Sequence, residues 1–152
     1  MAKKFFVRER QKKQIIDFFK NENQSFALLF GRRRIGKTEL LKHCINAPKI
    51  KKIKSVYYEC KETSEQNNCE SLSEIVSEVL GFPPLAFSCF EEILRFMFKQ
   101  AAKEEMILII DEYPYLRSVI KGLDSIIQNI VDDYRDKSKL HLVLCGSYVE
   151  TM

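Results

Sequence analysis

The sequence predicts an α/β fold in which a mostly parallel β-sheet is flanked by helices in three layers. Short apolar runs alternate along the chain with segments of helical spacing, which is typical of a sheet covered by helices. One of the runs leads directly into a glycine-rich loop, and another ends in two acidic residues. At 152 residues the chain is long enough to bury a core of its own, so a single domain is expected.

Four apolar runs are the strand candidates. The first and the last are followed by Gly31 and Gly146, which are expected to end them. The third and fourth runs are almost wholly apolar, which predicts burial on both faces of the sheet. The four candidates cover residues 25–30, 53–59, 106–110 and 140–145.

Helices are predicted where apolar residues recur at steps of three and four. An opening helix is expected from about residue 8 to residue 20. A second ends at Gly81, a residue suited to a helix C-terminal cap. A third begins at Ser88 with Glu91 three residues on, which is the signature of a capping box. The apolar stripes of these helices and of a later one lie in residues 15–19, 69–80, 90–101 and 126–134.

The composition is that of a globular protein. Hydrophobic residues make up 45% of the chain and charged residues 30%, which argues against disorder or a fibrous repeat. No apolar run approaches the roughly 18 to 20 residues that span a bilayer. Arg8 interrupts the start of the chain before a signal-peptide core can form. We therefore expect a cytoplasmic protein without a membrane partner.

The cysteines favour reduced core thiols. They form an odd set without any Cys-x-x-Cys pair, and three of them lie inside apolar stretches. Neither a zinc site nor a disulfide framework is expected. The five are Cys44, Cys60, Cys69, Cys89 and Cys145.

Basic residues gather in three segments, although the formal net charge is only +4. Residues 3–13, 32–34 and 49–54 could attract nucleic acid or an acidic partner. There is no aromatic interleaving and no recognisable nucleic-acid motif, so the pattern favours a solvated face plus a phosphate-binding loop. Binding of nucleic acid stays open as an alternative.

Residues 31–38 read Gly-Arg-Arg-Arg-Ile-Gly-Lys-Thr and match the spacing of a phosphate-binding loop in full. The loop follows a strand and opens a helix, which predicts the three-layer P-loop NTPase core. Backbone N–H groups at the helix start would meet a polyphosphate. Lys37 would contact the β and γ phosphates, and Thr38 part of the Mg²⁺ shell. The predicted binding residues are Gly31, Arg32, Arg33, Arg34, Ile35, Gly36, Lys37, Thr38 and Glu39.

Two acids follow the third strand candidate. A Mg²⁺ site needs a carboxylate at the end of a neighbouring strand, and Asp111 stands at such a strand terminus. Glu112 follows at once, where a carboxylate can orient and deprotonate an attacking water, so hydrolysis is favoured over binding alone. We predict Thr38 and Asp111 as the Mg²⁺ residues.

Ser147 follows the fourth strand candidate and lies at the carboxyl edge of the predicted sheet, where it could sense the γ phosphate. A serine in an ordinary turn fits the spacing equally well. The predicted catalytic residues are therefore Lys37, Asp111, Glu112 and Ser147. His43 and His141 have no partner pattern and are expected to be structural.

The sequence resembles the archaeal-type ATPases, within the AAA+-related STAND P-loop NTPases. The resemblance covers nearly the whole chain and rests on residues 30–38, on the run Asp-Glu-Tyr-Pro-Tyr-Leu at 111–116, and on Leu-Cys-Gly-Ser at 144–147. It implies ATP and Mg²⁺ as cofactors, Walker A and Walker B motifs in the first two segments, and a first-sensor role for Ser147. The opening residues 6–9 are similar to the segment that contacts adenine, although Val7 replaces the usual glycine.

Proteins of this family are normally longer and continue into a fifth strand, a helical lid, a winged helix and a further domain. The resemblance therefore implies that residues 1–152 form a single ATPase core, an N-terminal fragment of a longer architecture. No arginine can be assigned as a finger, and Arg117 and Arg135 stay unplaced. We expect nucleotide binding to survive better than turnover in such a fragment. The chain should therefore have low activity as an ATP hydrolase.

The first functional hypothesis is a core that binds Mg-ATP and hydrolyses it slowly as a conformational switch. The alternatives are a nucleotide-binding interaction module without turnover, a basic nucleic-acid-binding domain, and a kinase of small substrates, which the acid pair favours less. The expected partners are ATP and ADP, with self-association or a protein partner open. The preference for ATP over GTP rests on the resemblance.

Overall fold

The structure is a computed structural model that describes residues 12–21, 25–32 and 36–148. Helices lie between the strands along these ranges, with two in succession both before and after the third strand. The strands are β1 (Ser25–Arg32), β2 (Lys54–Glu59), β3 (Met106–Asp111) and β4 (Leu140–Tyr148). The helices are α1 (described for residues 12–19), α2 (Lys37–Ile45), α3 (Glu65–Leu80), α4 (Phe90–Gln100), α5 (Tyr113–Val119) and α6 (Leu123–Asp133).

The four strands form one parallel sheet in the order β1-β4-β3-β2. Gly31 of β1 lies opposite Ser147 of β4, and Glu59 of β2 lies opposite Asp111 of β3. Because all strands are parallel, their carboxyl ends meet at one edge of the sheet, which we call the carboxyl edge. The predicted α/β fold is confirmed.

Two strands run past the glycines that were expected to end them. β1 continues through Gly31 to Arg32, and β4 continues through Gly146 to Tyr148. The expectation was wrong because these segments pair with each other: Gly31 lies opposite Ser147 and Arg32 opposite Tyr148. Strand pairing supplies partners for the backbone N–H and C=O groups, so the ladder extends beyond both glycines.

Helices cover both faces of the sheet, since side chains alternate along each strand. Ile107 and Ile109 of β3 pack in a core with residues of α1 and α2, whereas Leu108 and Ile110 pack in a second core with α3, α4, α5 and α6. All six residues of β3 are buried, as predicted from its apolar sequence. Burial of one such side chain contributes about 1.5 to 3 kcal/mol, so β3 anchors both layers.

The ends of α3 follow the sequence signals. Ser64 precedes the helix, and its side chain accepts a hydrogen bond from the Asn67 N–H at 3.1 Å. Gly81 has φ 74° and ends the helix, as predicted. A positive φ at this place favours glycine because it has no Cβ.

The capping box predicted for α4 is wrong. The helix begins at Phe90 and its N-cap is Cys89, one residue after Ser88. The N–H and the hydroxyl of Ser88 both contact the Glu92 carboxylate, whereas Glu91 pairs with Arg95. Ser88 therefore lies outside the helix, one residue too early to cap it.

Helix α5 was not predicted. It spans Tyr113–Val119, only seven residues, so its apolar spacing covers less than two turns. Glu112 precedes it in the left-handed conformation, with φ 53° and ψ 40°, and Pro114 lies in the first turn, where its missing N–H costs nothing. Within the ranges that the structure describes, none of the helices is long and apolar enough to cross a membrane.

Candidate functional site

The first turn of α2 lies at the carboxyl edge of the sheet. Gly36 precedes the helix with φ 77°, and its carbonyl accepts a hydrogen bond from the Leu40 N–H at 2.9 Å. Lys37 is only 8% exposed, although it begins the helix. An α-helix start presents backbone N–H groups and the positive end of its dipole, which together attract anions. The geometry of this turn therefore suits a phosphate group.

The predicted loop residues are described to different extents. Arg33, Arg34 and Ile35 lie outside the described residues, and for Arg32 and Gly31 the backbone is described as part of β1. Glu39 is exposed in the first turn of α2. The structure thus describes the strand that leads into the predicted loop, β1, and the helix that follows it, α2.

Asp111 at the end of β3 is 1% exposed and accepts hydrogen bonds on both carboxylate oxygens. Oδ2 accepts from the Thr38 hydroxyl at 2.6 Å and from the Tyr57 hydroxyl. Oδ1 accepts from the Glu112 N–H and from the Cys145 thiol, each at 2.8 Å. Donors from α2, β2, β4 and the backbone after β3 therefore converge on one carboxylate.

These hydrogen bonds determine the charge of the acid cluster, which consists of Asp111 and its donors Thr38, Tyr57 and Cys145. Burial by itself would raise the pKa of Asp111, but the donors from Cys145, Thr38, Tyr57 and the Glu112 N–H outweigh burial and hold that pKa below its usual value. Burial and the hydrogen bond to Asp111 raise the pKa of both the Tyr57 phenol and the Cys145 thiol. At neutral pH the cluster therefore contains an ionised carboxylate and protonated donors.

Lys37 lies next to a residue that contacts the same carboxylate. It begins α2 and directly precedes Thr38, whose hydroxyl bonds to Asp111. The positive charge of Lys37 also lowers the pKa of Cys145, against the larger opposite effects of burial and Asp111. Lys37, Thr38 and Asp111 therefore share one end of the sheet.

One part of the prediction is wrong: Asp111 does not stand on the strand beside β1, because β4 lies between β1 and β3. Leu41 and Cys44 of α2 pack with Ile109 of β3 and Val143 of β4 in one core. The helix thus lies over β4 and β3. This path brings Thr38 to Asp111 across the intervening strand.

Glu112 and Ser147 lie at the same edge. The Glu112 carbonyl accepts a hydrogen bond from the Tyr115 N–H at 3.1 Å, while its own N–H bonds to Asp111. Its backbone is therefore fixed on both sides in a conformation that costs a non-glycine residue about 1 to 2 kcal/mol. The backbone of Ser147 pairs with Gly31, the first residue of the predicted loop.

The donor atoms at this place fit a hard cation. The Thr38 hydroxyl donates a hydrogen bond to Asp111, and a lone pair of its oxygen can still coordinate a metal ion. Hydroxyl and carboxylate oxygens are the ligands that Mg²⁺ prefers, and Mg²⁺ usually binds through one or two protein oxygens together with phosphates and waters. Within the described ranges, no group of three or more His, Cys, Asp or Glu residues could hold a metal.

Sequence reasoning missed two donors to Asp111. Tyr57 lies in the middle of β2, where its ring also lies 5.0 Å from the Lys42 ammonium of α2. Cys145 was interpreted only as a core thiol. The one available signal was the apolar segment 140–145 followed by Gly-Ser, which placed Cys145 near the carboxyl edge without naming its partner.

The two histidines and the two unplaced arginines lie in local contacts. His141 is fully buried and hydrogen-bonds to Ser25 and Glu105 at the amino end of the sheet, opposite the acid cluster. His43 contacts Lys12 on the surface. Arg117 and Arg135 pair with Asp124 and Asp132 at 3.6 and 2.7 Å.

Comparisons with known proteins identify a family for this chain. A family described as an ATPase domain predominantly from Archaea matches residues 5–151. An uncharacterised protein of Methanocaldococcus jannaschii is 28% identical over 148 residues, which cover 97% of this chain and 30% of that protein. A second uncharacterised protein of the same archaeon is 30% identical over 87 residues, covering 55% of this chain and 84% of that protein.

Solved structures share the fold. The ORC2 protein of Aeropyrum pernix in its ADPNP-ADP complexes superposes with a TM-score of 0.68 at 18% identity, over 93% of this chain and 41% of that chain. Cdc6p of Pyrobaculum aerophilum superposes with a TM-score of 0.63 at 20% identity, over 93% of this chain and 39% of that chain. A Walker-type ATPase of Pyrococcus abyssi superposes with a TM-score of 0.63 at 21% identity, over 92% of this chain and 45% of that chain. At these identities the likeness concerns the fold alone, and the chain spans less than half of each structure.

Proposed function

Because the chain belongs to the family of ATPase domains found predominantly in Archaea, we propose that it binds ATP with Mg²⁺ and hydrolyses it slowly as a conformational switch. The observation that supports this proposal most strongly is the 2.6 Å hydrogen bond from Thr38 to Asp111, which joins the start of α2 to the acid pair. The chain spans 30% of the first relative from Methanocaldococcus jannaschii. The activity of a whole protein of that length is therefore also a proposal.

The phosphates would bind at the first turn of α2. Its N–H groups and the Lys37 ammonium present positive charge at the carboxyl edge, which is the charge that a β,γ-phosphate pair requires. The low exposure of Lys37 keeps its charge in a region of reduced dielectric, where attraction to an anion is stronger than in water. Gly36 lets the backbone turn sharply before the helix.

Thr38 and Asp111 would hold the Mg²⁺ ion. When bound, Mg²⁺ would neutralise negative charge on the phosphate oxygens. Thr38 would present an oxygen lone pair to the ion while its hydroxyl donates a hydrogen bond to Asp111. The lowered pKa of Asp111 keeps the carboxylate ionised at neutral pH, so it can accept the hydrogen bond from Thr38.

Glu112 would accept a proton from the attacking water. The water oxygen forms a bond to the γ-phosphorus as the bond from that phosphorus to the bridging oxygen breaks, which yields ADP, inorganic phosphate and one proton. The fixed backbone on both sides of Glu112 supports this role, because a general base needs a defined position. Ser147 is proposed to sense the γ phosphate.

The switch is proposed to act through β4. This strand pairs with β1, which leads into the loop, and with β3, which leads into the acid pair. A change of the γ phosphate at the carboxyl edge would therefore act on both neighbours of β4. The partner that responds would be a protein or another copy of the chain.

The first test is nucleotide binding. A fluorescent ATP analogue is titrated into wild type and Lys37→Ala in Mg²⁺, with unlabelled ATP and GTP as competitors. Lys99→Ala is the matched control, because Lys99 is exposed on α4, which packs on the other face of the sheet. Saturable binding that is lost only in Lys37→Ala and displaced better by ATP supports the proposal. Absence of binding by the folded wild type would overturn it.

Turnover is a separate measurement. Glu112→Gln keeps the size of the side chain and removes the base, so we expect hydrolysis to fall at least about 100-fold while nucleotide still binds. Glu74→Gln, on the exposed side of α3, is the control. Equal rates in wild type and Glu112→Gln would leave Glu112 without a catalytic role, and the absence of hydrolysis above background in wild type would favour the alternative, a nucleotide-binding module without turnover.

Binding of nucleic acid is distinguishable from both. The Drosophila ORC structure that shares this fold at a TM-score of 0.62 is bound to DNA, but the identity is 16%. Most of the basic segment 3–13 lies outside the described residues. Affinity for DNA that falls steeply with salt and survives Lys37→Ala would favour this alternative.

A further inference from the structure

The four hydrogen bonds to Asp111 leave no acceptor position open on its carboxylate. An ionised carboxylate has about four lone-pair sites, two on each oxygen. Thr38 and Tyr57 occupy Oδ2, while Glu112 N–H and Cys145 occupy Oδ1. A cation can therefore bind Asp111 directly only if one of these donors leaves.

Oδ2 is the oxygen that would lie nearer the proposed cation, because Thr38 bonds to it. Thr38 belongs to the proposed metal shell, so the donor that would have to leave Oδ2 is Tyr57. The ring of Tyr57 is held from the other side by the Lys42 ammonium, 5.0 Å from its centroid. Tyr57 is thus fixed between β3 and α2.

Building on the proposed function, we propose that Tyr57 is a positioning residue that makes the site selective for Mg²⁺. Its hydroxyl fills the second lone-pair site of Oδ2, so Asp111 holds the cation through the Thr38 hydroxyl or a water instead of by direct coordination. Mg²⁺ dehydrates reluctantly and keeps several waters, which suits such indirect binding. Ca²⁺ takes more oxygen ligands and binds carboxylates directly, so it gains less from this arrangement.

Cys145 and the Glu112 N–H contribute by holding Oδ1. The Cys145 thiol is fully buried in β4, and the Glu112 N–H belongs to a fixed backbone. Their two hydrogen bonds prevent the carboxylate from rotating to exchange its oxygens. Without them the cation would meet either oxygen, and the effect of Tyr57 would be lost.

Tyr57→Phe tests the proposal, because it removes the hydroxyl and keeps the ring on Lys42. Tyr58→Phe is the matched control: Tyr58 is the next residue of β2, packs in the core on the opposite face, and hydrogen-bonds to Asn68. Tyr57→Phe loses a part-buried hydrogen bond and Tyr58→Phe loses a buried one, so a general loss of stability would affect Tyr58→Phe at least as strongly. Thermal unfolding of each checks that the chains are folded.

The measurement is the half-saturating concentration of Mg²⁺ and of Ca²⁺ for binding of the fluorescent ATP analogue. We expect the ratio of the Ca²⁺ value to the Mg²⁺ value to fall about tenfold in Tyr57→Phe, which corresponds to about one hydrogen bond. With Mn²⁺ and nucleotide, electron paramagnetic resonance in ¹⁷O-labelled water should show one bound water fewer in Tyr57→Phe than in wild type.

An unchanged ratio in folded Tyr57→Phe, or an equal fall in Tyr58→Phe, would overturn the role of Tyr57 and leave the nucleotide site intact. A wild-type protein that binds no nucleotide with either metal would overturn the proposed function, and this inference with it. The two failures are therefore distinguishable in one experiment.

Discussion

Thr38 in the first turn of α2 donates a hydrogen bond to Asp111 at the end of β3 across 2.6 Å, although a whole strand separates β3 from the strand that precedes α2. The contact is possible because α2 lies over β4 and β3 in the core that contains Leu41, Ile109 and Val143. The position of the helix on the sheet therefore determines the composition of the candidate site.

Two replacements of Thr38 should separate the contribution of its hydroxyl to nucleotide binding from the contribution of its methyl group. Thr38→Ser keeps the proton that bonds to Asp111 and should bind the ATP analogue within about threefold of wild type, whereas Thr38→Ala should lose about tenfold or more in Mg²⁺. Titration of both variants with and without Mg²⁺ checks this. If Thr38→Ala binds as tightly as Thr38→Ser, the hydroxyl has no part in metal binding.

Stability should depend on the ionised form of Asp111. Its folded pKa is lowered, so its contribution is fully present above the unfolded pKa, near the ordinary aspartate value of 3.8, and is lost as pH falls from there through the folded pKa. Asp111→Asn should cost about 2 to 4 kcal/mol at pH 7, because it leaves buried donors without a carboxylate. That difference from wild type should shrink below about pH 4.

Urea unfolding between pH 3 and pH 7 measures this difference. Asp136→Asn is the control, since Asp136 is exposed in a turn after α6 with φ 63°, a conformation that asparagine adopts readily. A difference between wild type and Asp111→Asn that stays constant over this pH range would contradict a lowered pKa.

The cysteines should differ in reactivity. Cys44, Cys60, Cys69 and Cys145 are buried, and burial raises the pKa of Cys44 to about 11 and those of Cys60 and Cys69 to about 12. Cys89 is only half-buried. Ellman's reagent at pH 8 should therefore titrate one thiol rapidly and the other four only after unfolding. Cys89→Ser should abolish the rapid phase, and a persistent rapid phase in that variant would contradict the burial of the others.

His141 should contribute to stability and not to nucleotide binding. Its ring packs against Phe18 and Phe19 and hydrogen-bonds to Ser25 and Glu105. His141→Ala should lower the free energy of unfolding by about 3 to 5 kcal/mol, as for other buried aromatic rings.

Ser25→Ala provides the comparison for His141, with an expected cost of about 1 kcal/mol for one lost hydrogen bond. Chemical denaturation measures both variants. Affinity for the ATP analogue, measured on the folded fraction, should be unchanged, because His141 lies at the amino end of the sheet. A specific loss of affinity in His141→Ala would show that the expected structural role is incomplete.

Local patterns in the sequence determined much of this protein. The alternation of apolar runs and helical spacing predicted the α/β fold, and the buried sequence 106–110 predicted a strand covered on both faces, because these signals come from residues adjacent in the chain. The glycine and lysine spacing of residues 31–38 and the acids at 111 and 112 likewise predicted the candidate site. The contact between Thr38 and Asp111 follows that prediction, and the roles of both residues stay predictions.

Only the tertiary structure decided which residues surround Asp111. Strand order places β4 beside β3, parallel register brings Cys145 and Tyr57 to the carboxylate, and seven residues after Glu112 form α5. None of these features has a local signal, because strand order and register depend on which apolar faces pack together over long separations in the chain. Tyr57 lies 54 residues from Asp111 in sequence, and only the folded sheet makes them neighbours.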